Sequence, residues 1–365
     1  MVEAGGFVGI SFPFIAGILA GKMLLGAASV SAYALAGVGM SVAALMLAAC
    51  GALARAPSPL QGAARPAAII LFFLLGLCCR ATDKLGSITF PMPEIITGSA
   101  DTLKRIIAGT PFPSGQTPGL ITALLTGDRT MVRQETYDCF RDSGASHLLA
   151  LSGLHMGIVC SIVSKGSSLL GHSHAAKAFR AVFTILFSGF YALMTGAGPS
   201  IVRAFLFIMF SEVCHLSAER RRDPARILLA ALTLQLALSP SVIDSLGFQL
   251  SYLATAGIIL LYPEMSGWFP PEDGPGILRK VWKGAAISIS CQAFTFPLVW
   301  LHFQSFPKFF LITNMLAIPL TTILIGISLL TITLEAAGCC PGALIFVNDF
   351  LTNLLLFLLE TIRGM

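Results

Sequence analysis

Histidines and small polar residues stand at the head of a hydrophobic segment that is long enough to cross a bilayer. The segment reads Ser143-Gly-Ala-Ser-His-Leu-Leu-Ala-Leu-Ser-Gly-Leu-His-Met-Gly157 and continues as Ile-Val. Because unpaired polar groups are costly in hydrocarbon, we expect His147, Ser152 and His155 to face a hydrated interior. The alternative is that both histidines bridge neighbouring helices through hydrogen bonds, without any passage.

Helical periodicity gives this segment two faces. At ~100° per residue, His147, Ser152 and His155 fall within one arc, while Gly153 and Gly157 lie on the opposite side. The glycines form a small-xxx-small pattern that lets another helix approach closely. We therefore predict one continuous helix with a polar face and a packing face.

A cation follows a tight turn further along the chain. Gly198 and Pro199 predict a turn that breaks the helix, and Arg203 then lies about one turn into the next helix. An arginine at the centre of a membrane helix costs roughly 2.5–3.5 kcal/mol, so Arg203 needs an anionic or carbonyl partner. We expect a phosphate contact in a pore, a salt bridge to Asp128 or Asp244, or a side chain that reaches the membrane surface.

Polar and helix-breaking residues recur in later segments. Ser288, Gln292 and Thr295 share one helical stripe, which could line water or hold two helices together. The stretch from Asn314 to Pro319 predicts a discontinuous helix of the kind that exposes backbone to a translocation path.

The composition is that of an integral membrane protein. The 365 residues are 55% hydrophobic and only 11% charged, with a mean hydropathy of +0.83, whereas soluble domains are roughly 25% charged. We predict an all-α, polytopic transmembrane bundle of about 10–11 spans, some short or re-entrant. The predicted spans are residues 7–27, 30–53, 67–80, 145–165, 178–197, 200–216, 227–239, 243–262, 284–301, 309–334 and 342–361.

The distribution of basic residues predicts the orientation. With the N-terminus in the cytoplasm, most Lys and Arg residues fall in inner loops, whereas the short outer segments hold Lys22, Lys308 and Arg363. This places the C-terminus outside. The first hydrophobic segment has no basic leader, so we expect it to be a retained anchor.

We divide the chain into residues 1–83, an N-terminal group of transmembrane helices, a short extracytoplasmic segment over 84–142, and a transmembrane domain over 143–365. Within 84–142 we predict short amphipathic or re-entrant helices near residues 100–108, 120–129 and 136–142, ended by Gly127 and Gly144. The nine cysteines lack metal-site spacing, so we predict buried small hydrophobes and neither a metal nor a cofactor.

At these positions the chain resembles the membrane domain of ComEC-type bacterial DNA-uptake proteins. The residues that carry the resemblance are Gly127-Asp-Arg129, Phe140 with the segment 143–157, Thr195-Gly-Ala-Gly-Pro-Ser-Ile-Val-Arg-Ala204, Arg222-Asp-Pro224, Asp244-Ser-Leu-Gly-Phe-Gln-Leu-Ser-Tyr252, residues 292–302 and Asn314-Met-Leu-Ala-Ile-Pro319. Their order and spacing match over about residues 120–335.

The resemblance implies a multi-pass channel of the bacterial inner membrane that admits one strand of DNA during natural transformation. The residues expected to line or gate the path are His147, Ser152, His155, Arg203, Gln249 and Gln292. Asp128 and Arg129 would stand at its outer mouth. The expected partners are single-stranded DNA, membrane lipids, a periplasmic DNA receptor, and a cytoplasmic motor or strand-binding proteins.

We expect no enzymatic activity from this chain. It contains no Gly-x-x-x-x-Gly-Lys-Ser/Thr loop for ATP hydrolysis. Many members of the family carry an extracytoplasmic OB-fold and a metallo-β-lactamase-like nuclease, and neither module is recognisable in this sequence. We therefore expect neither strand degradation nor strong DNA capture.

Three other functions are compatible with the same residues. A wet helical bundle would also suit a transporter of a smaller anionic or polar solute. Ser152 and His155, at i and i+3, could form the nucleophile and base of an intramembrane hydrolase, although no Gly-x-Ser-x-Gly elbow and no orienting acid accompany them. The third alternative is a structural scaffold whose polar stripes are dry and packed.

Overall fold

We describe the fold from a computed structural model of the chain. The structure describes residues 4–27, 64–83, 94–167, 174–216, 223–269, 276–304 and 306–364. All regular elements in these ranges are helices, so the predicted all-α class is confirmed. The predicted span over residues 30–53 lies outside the described residues.

The helices are α1 (Ala4–Ala27), α2 (Ala64–Asp83), α3 (Glu94–Gly109), α4 (Thr117–Thr126), α5 (Gln134–Asp142), α6 (Ser146–Leu149), α7 (Gly153–Ser167), α8 (His174–Met194), α9 (Pro199–Leu216), α10 (Pro224–Leu238), α11 (Leu246–Ser266), α12 (Gly276–Phe303), α13 (Phe310–Ala336) and α14 (Gly342–Arg363). A short 3-10 helix, Pro240–Asp244, precedes α11.

Within the described ranges, six helices are long and apolar enough to cross a membrane, namely α8, α9, α11, α12, α13 and α14. Shorter apolar helices accompany them, among them α1, α2, α7 and α10. The polytopic bundle predicted from composition is therefore confirmed. The chain forms two compact units, residues 1–91 with 220–249 and residues 92–219 with 250–365.

Close helix packing organises the first unit. Gly17 of α1 lies against the carbonyl oxygen of Phe73, and Gly76 of α2 lies against the carbonyl oxygen of Phe14. A side chain at either glycine would collide with the backbone of the other helix, so only glycine permits this approach. The third helix of the unit, α10, joins the pair through a 2.9 Å hydrogen bond from Thr233 Oγ1 to Ser11 Oγ.

An ion cluster closes one end of the first unit. Lys22 Nζ lies 2.7 Å from Asp244 Oδ1, and Arg80 Nη2 lies 2.7 Å from Asp244 Oδ2. Burial opposes ionisation of Asp244, but the hydrogen bonds from Lys22 and Arg80 outweigh it and lower the pKa of this carboxyl group. Asp244 therefore pairs with these two cations, one from α1 and one from α2.

A helical hairpin lies at the centre of the second unit. It is formed by the amphipathic α3 and by α4, whose residues are almost all buried. Leu120 and Leu124 of α4 belong to one apolar core with Leu324 of α13 and Leu355 of α14. The hairpin therefore packs against two candidate membrane spans, and its re-entrant placement stays a prediction.

The short helices predicted between residues 100 and 142 are confirmed, with α3 longer than expected. The helix α4 ends as predicted, with Gly127 in the left-handed conformation at φ 79° and its N–H bonded to the Ala123 carbonyl. Gly144, at φ 81°, terminates the next helix in the same conformation. Glycine adopts this geometry without the steric cost that other residues carry.

The prediction of one continuous helix over residues 145–165 is wrong. The segment forms α6 and α7, separated by residues 150–152, with Ala150 extended at ψ 124°. The hydrophobic periodicity runs through the break and therefore conceals it. The physical reason is capping, because Ser152 begins a new helix by accepting a hydrogen bond from the Leu154 N–H at 3.2 Å.

The predicted discontinuity from Asn314 to Pro319 is also not found, since α13 is continuous from Phe310 to Ala336 with Pro319 inside it. Proline removes one helical hydrogen bond without ending the helix. Membrane helices tolerate this loss because neighbouring groups compensate for it.

Candidate functional site

Ser152 and His155 form a hydrogen-bonded cap at the start of α7. The Ser152 hydroxyl lies 2.9 Å from His155 Nδ1, and the backbone N–H of Ser152 donates to the same nitrogen at 3.3 Å. This is the geometry of a capping box, with histidine in the position that Glu or Gln usually takes. Because Nδ1 accepts the backbone N–H, the imidazole is neutral and carries its proton on Nε2.

The other side of this imidazole is buried. His155 is 1% exposed, and it interacts with His147 and with the Leu148 carbonyl. Nε2 nevertheless has no hydrogen bond of good geometry. A buried donor without a strong partner is costly, so His155 is a group that could donate to a ligand or to water.

Arg203 lies beside the first residue of the same helix. Its guanidinium group occupies the space that a side chain at Gly153 would need, and its Nη1 donates to the Thr255 hydroxyl of α11. Nε is buried without a partner. No carboxylate of the described residues forms a salt bridge with Arg203.

The salt bridges considered for Arg203 from the sequence are made by other cations. Asp128 pairs with Lys104 at 2.6 Å, and Asp244 pairs with Lys22 and Arg80. Arg203 is left with a hydroxyl partner, which cannot neutralise a charge. The space for this guanidinium exists because position 153 is glycine.

The electrostatics of this place favour an anion. The N-terminus of a helix carries about half a positive charge, and the Arg203 guanidinium lies against the N-terminus of α7. Two positive groups in contact repel each other unless a negative group lies near them. Backbone N–H groups at a helix start together with an arginine are the usual protein contacts for phosphate and carboxylate.

The Gly127-Asp-Arg129 segment supports the break between α6 and α7. Arg129 Nε donates to the Leu149 carbonyl at 3.2 Å, at the end of α6. The Leu151 side chain fills the space beside Gly127. The segment thus holds the interrupted backbone, which in a membrane must be satisfied by protein groups.

Asp128 stabilises the same segment. Its carboxylate accepts hydrogen bonds from the Thr130 N–H at 3.0 Å and from the Thr130 hydroxyl at 2.7 Å, besides the Lys104 ion pair. The Lys104 hydrogen bond, followed by those from Thr130, holds the pKa of Asp128 well below its usual range.

The remaining residues predicted for the path lie in different surroundings. Gln249 belongs to the first unit and donates to the Ile243 carbonyl at 2.8 Å, so it closes its own turn. Gln292 is half-buried on α12, next to Cys291, which interacts with Arg203. His147 is exposed on α6.

The helix-breaking residues of the prediction divide into two groups. Gly198 and Pro199 lie where predicted, at the turn between α8 and α9, with Pro199 as the first residue of α9. Asn314 and Pro319 lie within the continuous α13, where the Asn314 side-chain oxygen is buried without a hydrogen bond.

The sequence analysis missed a polar group on α14. Asp349 Oδ1 accepts from the Ser114 N–H at 3.0 Å and from the Thr117 hydroxyl at 2.5 Å, at the tip of the α3–α4 hairpin. Its neighbour Asn348 bonds to Ser328 and to Thr331 of α13 at 3.1 and 3.3 Å. An Asn-Asp pair inside a hydrophobic span was the available signal, since ionisable residues in membrane helices are rare and functional.

The fold and the site define a polytopic helical membrane protein with a half-buried cation at a helix start, which no carboxylate of the described residues neutralises. This chain belongs to the competence protein family, whose model matches residues 124–365. The match contains the Gly127-Asp-Arg129 segment, the break before α7 and Arg203.

Individual relatives agree with this assignment. The chain is 29% identical over 204 residues to ComE operon protein 3 of Bacillus subtilis and 26% identical over 151 residues to Recombination protein 2 of Haemophilus influenzae. It is 28% identical over 209 residues to the uncharacterized protein YcaI of Escherichia coli.

The alignment with ComE operon protein 3 covers 56% of this chain and 25% of that relative. The corresponding shares are 40% and 19% for Recombination protein 2, and 56% and 27% for YcaI. The chain therefore matches about a quarter or less of the length of each relative. No solved structure is significantly similar to it.

Proposed function

We propose that this chain forms the membrane passage through which one strand of DNA enters a bacterial cell during natural transformation. The family description and the name Recombination protein 2 of one relative support a role in DNA uptake. The six candidate spans are consistent with a multi-pass protein, for which we propose the cytoplasmic membrane.

One observation carries the proposal, namely the half-buried Arg203 guanidinium beside the start of α7, whose Nε is buried without a partner and which pairs with no carboxylate of the described residues. A cation in this position is stabilised when an anion passes, and a DNA strand presents a phosphate at every nucleotide. A single such contact would favour passage over trapping, because conduction requires binding that is weak enough to release.

The other polar groups would replace hydration along the strand. In this mechanism the His155 Nε2–H and the Ser152 cap stand next to Arg203, while His147 and Gln292 line other parts of the path. Asp128 and Arg129 act at the outer mouth by holding the interrupted backbone between α6 and α7. Hydrogen-bond donors would thus reach the strand from several helices.

Import needs an external source of energy. Each phosphate charge that moves against an inside-negative potential costs ~2.3 kcal/mol per 100 mV. We propose that a cytoplasmic motor, strand-binding proteins or the proton gradient supplies the force, with a periplasmic receptor delivering the DNA. No ATPase step is assigned to this chain.

The first test is substitution of Arg203 in a naturally transformable strain that lacks its own gene of this family. Arg203→Ala should lower the transformation frequency about tenfold or more, because a charge-assisted hydrogen bond contributes roughly 1.5–3 kcal/mol. Arg203→Lys should retain part of the activity, since it keeps the charge. Immunoblots of membrane fractions verify equal protein levels.

Two glycine variants on α7 provide a matched pair for the same assay. Gly153→Ala introduces a methyl group where the guanidinium lies and should displace it, whereas a side chain at Gly157 meets nothing within 4 Å. Transformation should fall for Gly153→Ala and stay unchanged for Gly157→Ala. Normal transformation of Arg203→Ala at normal protein levels would overturn the proposed role.

The same anion site favours one other candidate, a transporter of a smaller anionic or polar solute. The two functions are separated by measuring uptake of labelled DNA and of small anions in the deletion strain with and without this chain. Restored solute flux without DNA uptake would replace the DNA proposal.

Ser152 is better explained as a helix cap than as a nucleophile. Its hydroxyl accepts the Leu154 N–H while its own backbone N–H donates to His155, so both residues are engaged in starting α7. We therefore propose no hydrolase activity, and covalent labelling of Ser152 by a fluorophosphonate probe would contradict this.

A further inference from the structure

A cleft of about 620 Å³ opens between α3 and α8 in the second unit. This volume lies within the roughly 300–1,000 Å³ that is usual for small-molecule sites. The floor of the cleft is apolar and includes Leu125, Val159 and Leu329, from α4, α7 and α13. The cleft shares none of its lining residues with the Arg203 site, which is formed by Gly153, Arg203 and Thr255.

The two walls of the cleft differ in chemistry. The α8 wall presents Phe187, Phe190 and Met194 together with Tyr191, whose hydroxyl donates to the Leu125 carbonyl at 2.9 Å. The α3 wall adds Ser99, Thr102 and Arg105 at helical spacing to its apolar residues Ile95, Leu103 and Ile106. The ligand that fits must therefore combine a long apolar part with a polar end.

Arg105 supplies the charge that this polar end must complement. Its Nη2 donates to the Thr102 hydroxyl at 3.0 Å, and it forms no salt bridge with a carboxylate of the described residues. The preceding residue, Lys104, is by contrast paired with Asp128. Among the described residues, the cleft thus contains a cation without a carboxylate partner, in contact with the Thr102 hydroxyl, and such a cation suits a phosphate or another anion.

The cleft is continuous with the exposed apolar face of α8. Phe190 belongs both to the cleft and to that face, which also includes Phe183, Leu186 and Leu193 at 41%, 66% and 41% exposure. In a membrane protein such a face contacts lipid chains. An acyl chain can therefore enter from the side without crossing a polar barrier.

We propose that this cleft binds an anionic phospholipid, with an acyl chain along Phe187, Phe190 and Met194 and the phosphate on the Arg105 guanidinium group. The Ser99 and Thr102 hydroxyls donate to the Ile95 and Gly98 carbonyls of their own helix at 2.6 and 2.7 Å, so Arg105 is the donor that meets the phosphate. Single-stranded DNA fits less well, because the floor offers no donor or acceptor to a base and only one cation is available for several phosphates. The bound lipid would fill the space between α3 and α8 and fix the α3–α4 hairpin.

The experiment measures lipid binding to the purified full-length chain by native mass spectrometry, with phosphatidylglycerol and phosphatidylcholine compared at equal concentrations. The wild-type chain should retain phosphatidylglycerol in preference. Arg105→Gln should reduce that preference about fivefold, the effect expected from one basic residue on an anionic lipid. Arg133→Gln, which removes an exposed arginine outside the cleft, is the matched control.

A second variant tests the cleft itself. A side chain at Gly98 meets nothing within 4 Å, so Gly98→Leu should fill the cleft without disturbing the helix and should weaken binding of both lipids. Far-ultraviolet circular dichroism and gel filtration verify its fold.

Three results would overturn the proposal: equal retention of the two lipids by the wild-type chain, wild-type binding in both Arg105→Gln and Gly98→Leu, or displacement of the lipid by a short oligonucleotide. The last result would assign the cleft to nucleic acid. Transformation is not measured, so the outcome is independent of the proposed DNA passage.

Discussion

Among single residues, Ser152 and His155 lie close together for a reason that differs from the predicted one. The prediction placed both side chains on one face of a continuous helix. Ser152 and His155 are close because one caps the helix that contains the other, and a continuous helix was not needed to bring them together. Arg203 joins them because Gly153 leaves room for its guanidinium. The local pattern Ser-x-x-His followed by an apolar run was a sequence signal for such a cap.

A residue-scale prediction concerns Asp128. Its depressed pKa means that the ionised carboxylate stabilises the folded chain above the ordinary aspartate pKa of ~3.9, and that this contribution is lost as the pH falls through the lower folded value. Asp128→Asn should therefore destabilise the chain at pH 7 by about 1–2 kcal/mol. The difference from the wild type should be constant from pH 7 to about pH 4 and should shrink below it.

The measurement is thermal unfolding of detergent-solubilised protein, followed by tryptophan fluorescence at several pH values. Asp138→Asn serves as the control, because Asp138 pairs with an Arg141 side chain that is 60% exposed and such surface pairs contribute little. Equal destabilisation by the two substitutions would show that the Asp128 contacts stabilise the fold no more than a surface ion pair does.

At the scale of elements, buried polar backbone decides where helices stop. The hairpin tip between α3 and α4 is capped by Asp349, and the break between α6 and α7 is capped by Ser152 and Arg129. Hydrocarbon offers no hydrogen bonds to an interrupted helix, so each interruption coincides with a polar side chain from elsewhere in the fold. Pro319 does not interrupt its helix, because the chain continues in the same direction and α13 runs through it.

An element-scale prediction concerns the packing of α1 on α2. Gly76→Ala should destabilise the first unit by about 1–3 kcal/mol, the usual cost of overpacking, because the new methyl group collides with the Phe14 carbonyl, which cannot move without its helix. Gly17→Ala should act in the same way through Phe73. The thermal unfolding midpoint and the amount of protein in the membrane report the effect.

Gly9→Ala on the same helix is the matched control, since a side chain there meets nothing within 4 Å. It should be neutral or slightly stabilising, because alanine is the better helix former. If Gly76→Ala were as stable as Gly9→Ala, the two helices would not be held as closely as the structure indicates.

At the scale of the whole molecule, ion pairs agree with the side of the membrane assigned to each segment. Lys22, Arg80 and Asp244 form one cluster in the first unit, and Asp142 lies 3.1 Å from Arg363 in the second. The distribution of basic residues places the members of each group on the same, outer side. The orientation itself, with the N-terminus inside, stays a prediction.

The whole-molecule prediction tests this orientation through Cys339, which is exposed in the turn between α13 and α14. The predicted topology places this turn in the cytoplasm. In spheroplasts, a membrane-impermeant maleimide should therefore label Cys339 only after the membrane is permeabilised. Loss of the label in a Cys339→Ser, Cys340→Ser variant verifies the site.

The control introduces a thiol on the opposite side. Lys308→Cys in the variant without Cys339 and Cys340 places a cysteine in an exposed position that is predicted to be external. It should react in intact spheroplasts. The reverse labelling pattern would mean that the chain is inserted with the N-terminus outside.

The class of protein, the helical fold, most helix positions and the family can be read from the order of the amino acids alone. These follow from hydrophobicity, turn residues and motif order, which are local properties along the chain. The sequence also indicated that Arg203 and His155 are chemically unusual, because charge in an apolar segment is visible without coordinates.

The contacts between polar groups, by contrast, follow from the packing of the folded chain. The Asp128–Lys104 pair, the Arg203–Thr255 contact and the Asp349–Thr117 hydrogen bond join residues that are 24, 52 and 232 positions apart. A helix can break inside the membrane only where a distant side chain forms hydrogen bonds with the backbone groups that the break leaves unpaired. Such partners are selected by packing, and a pattern along one segment does not contain that information.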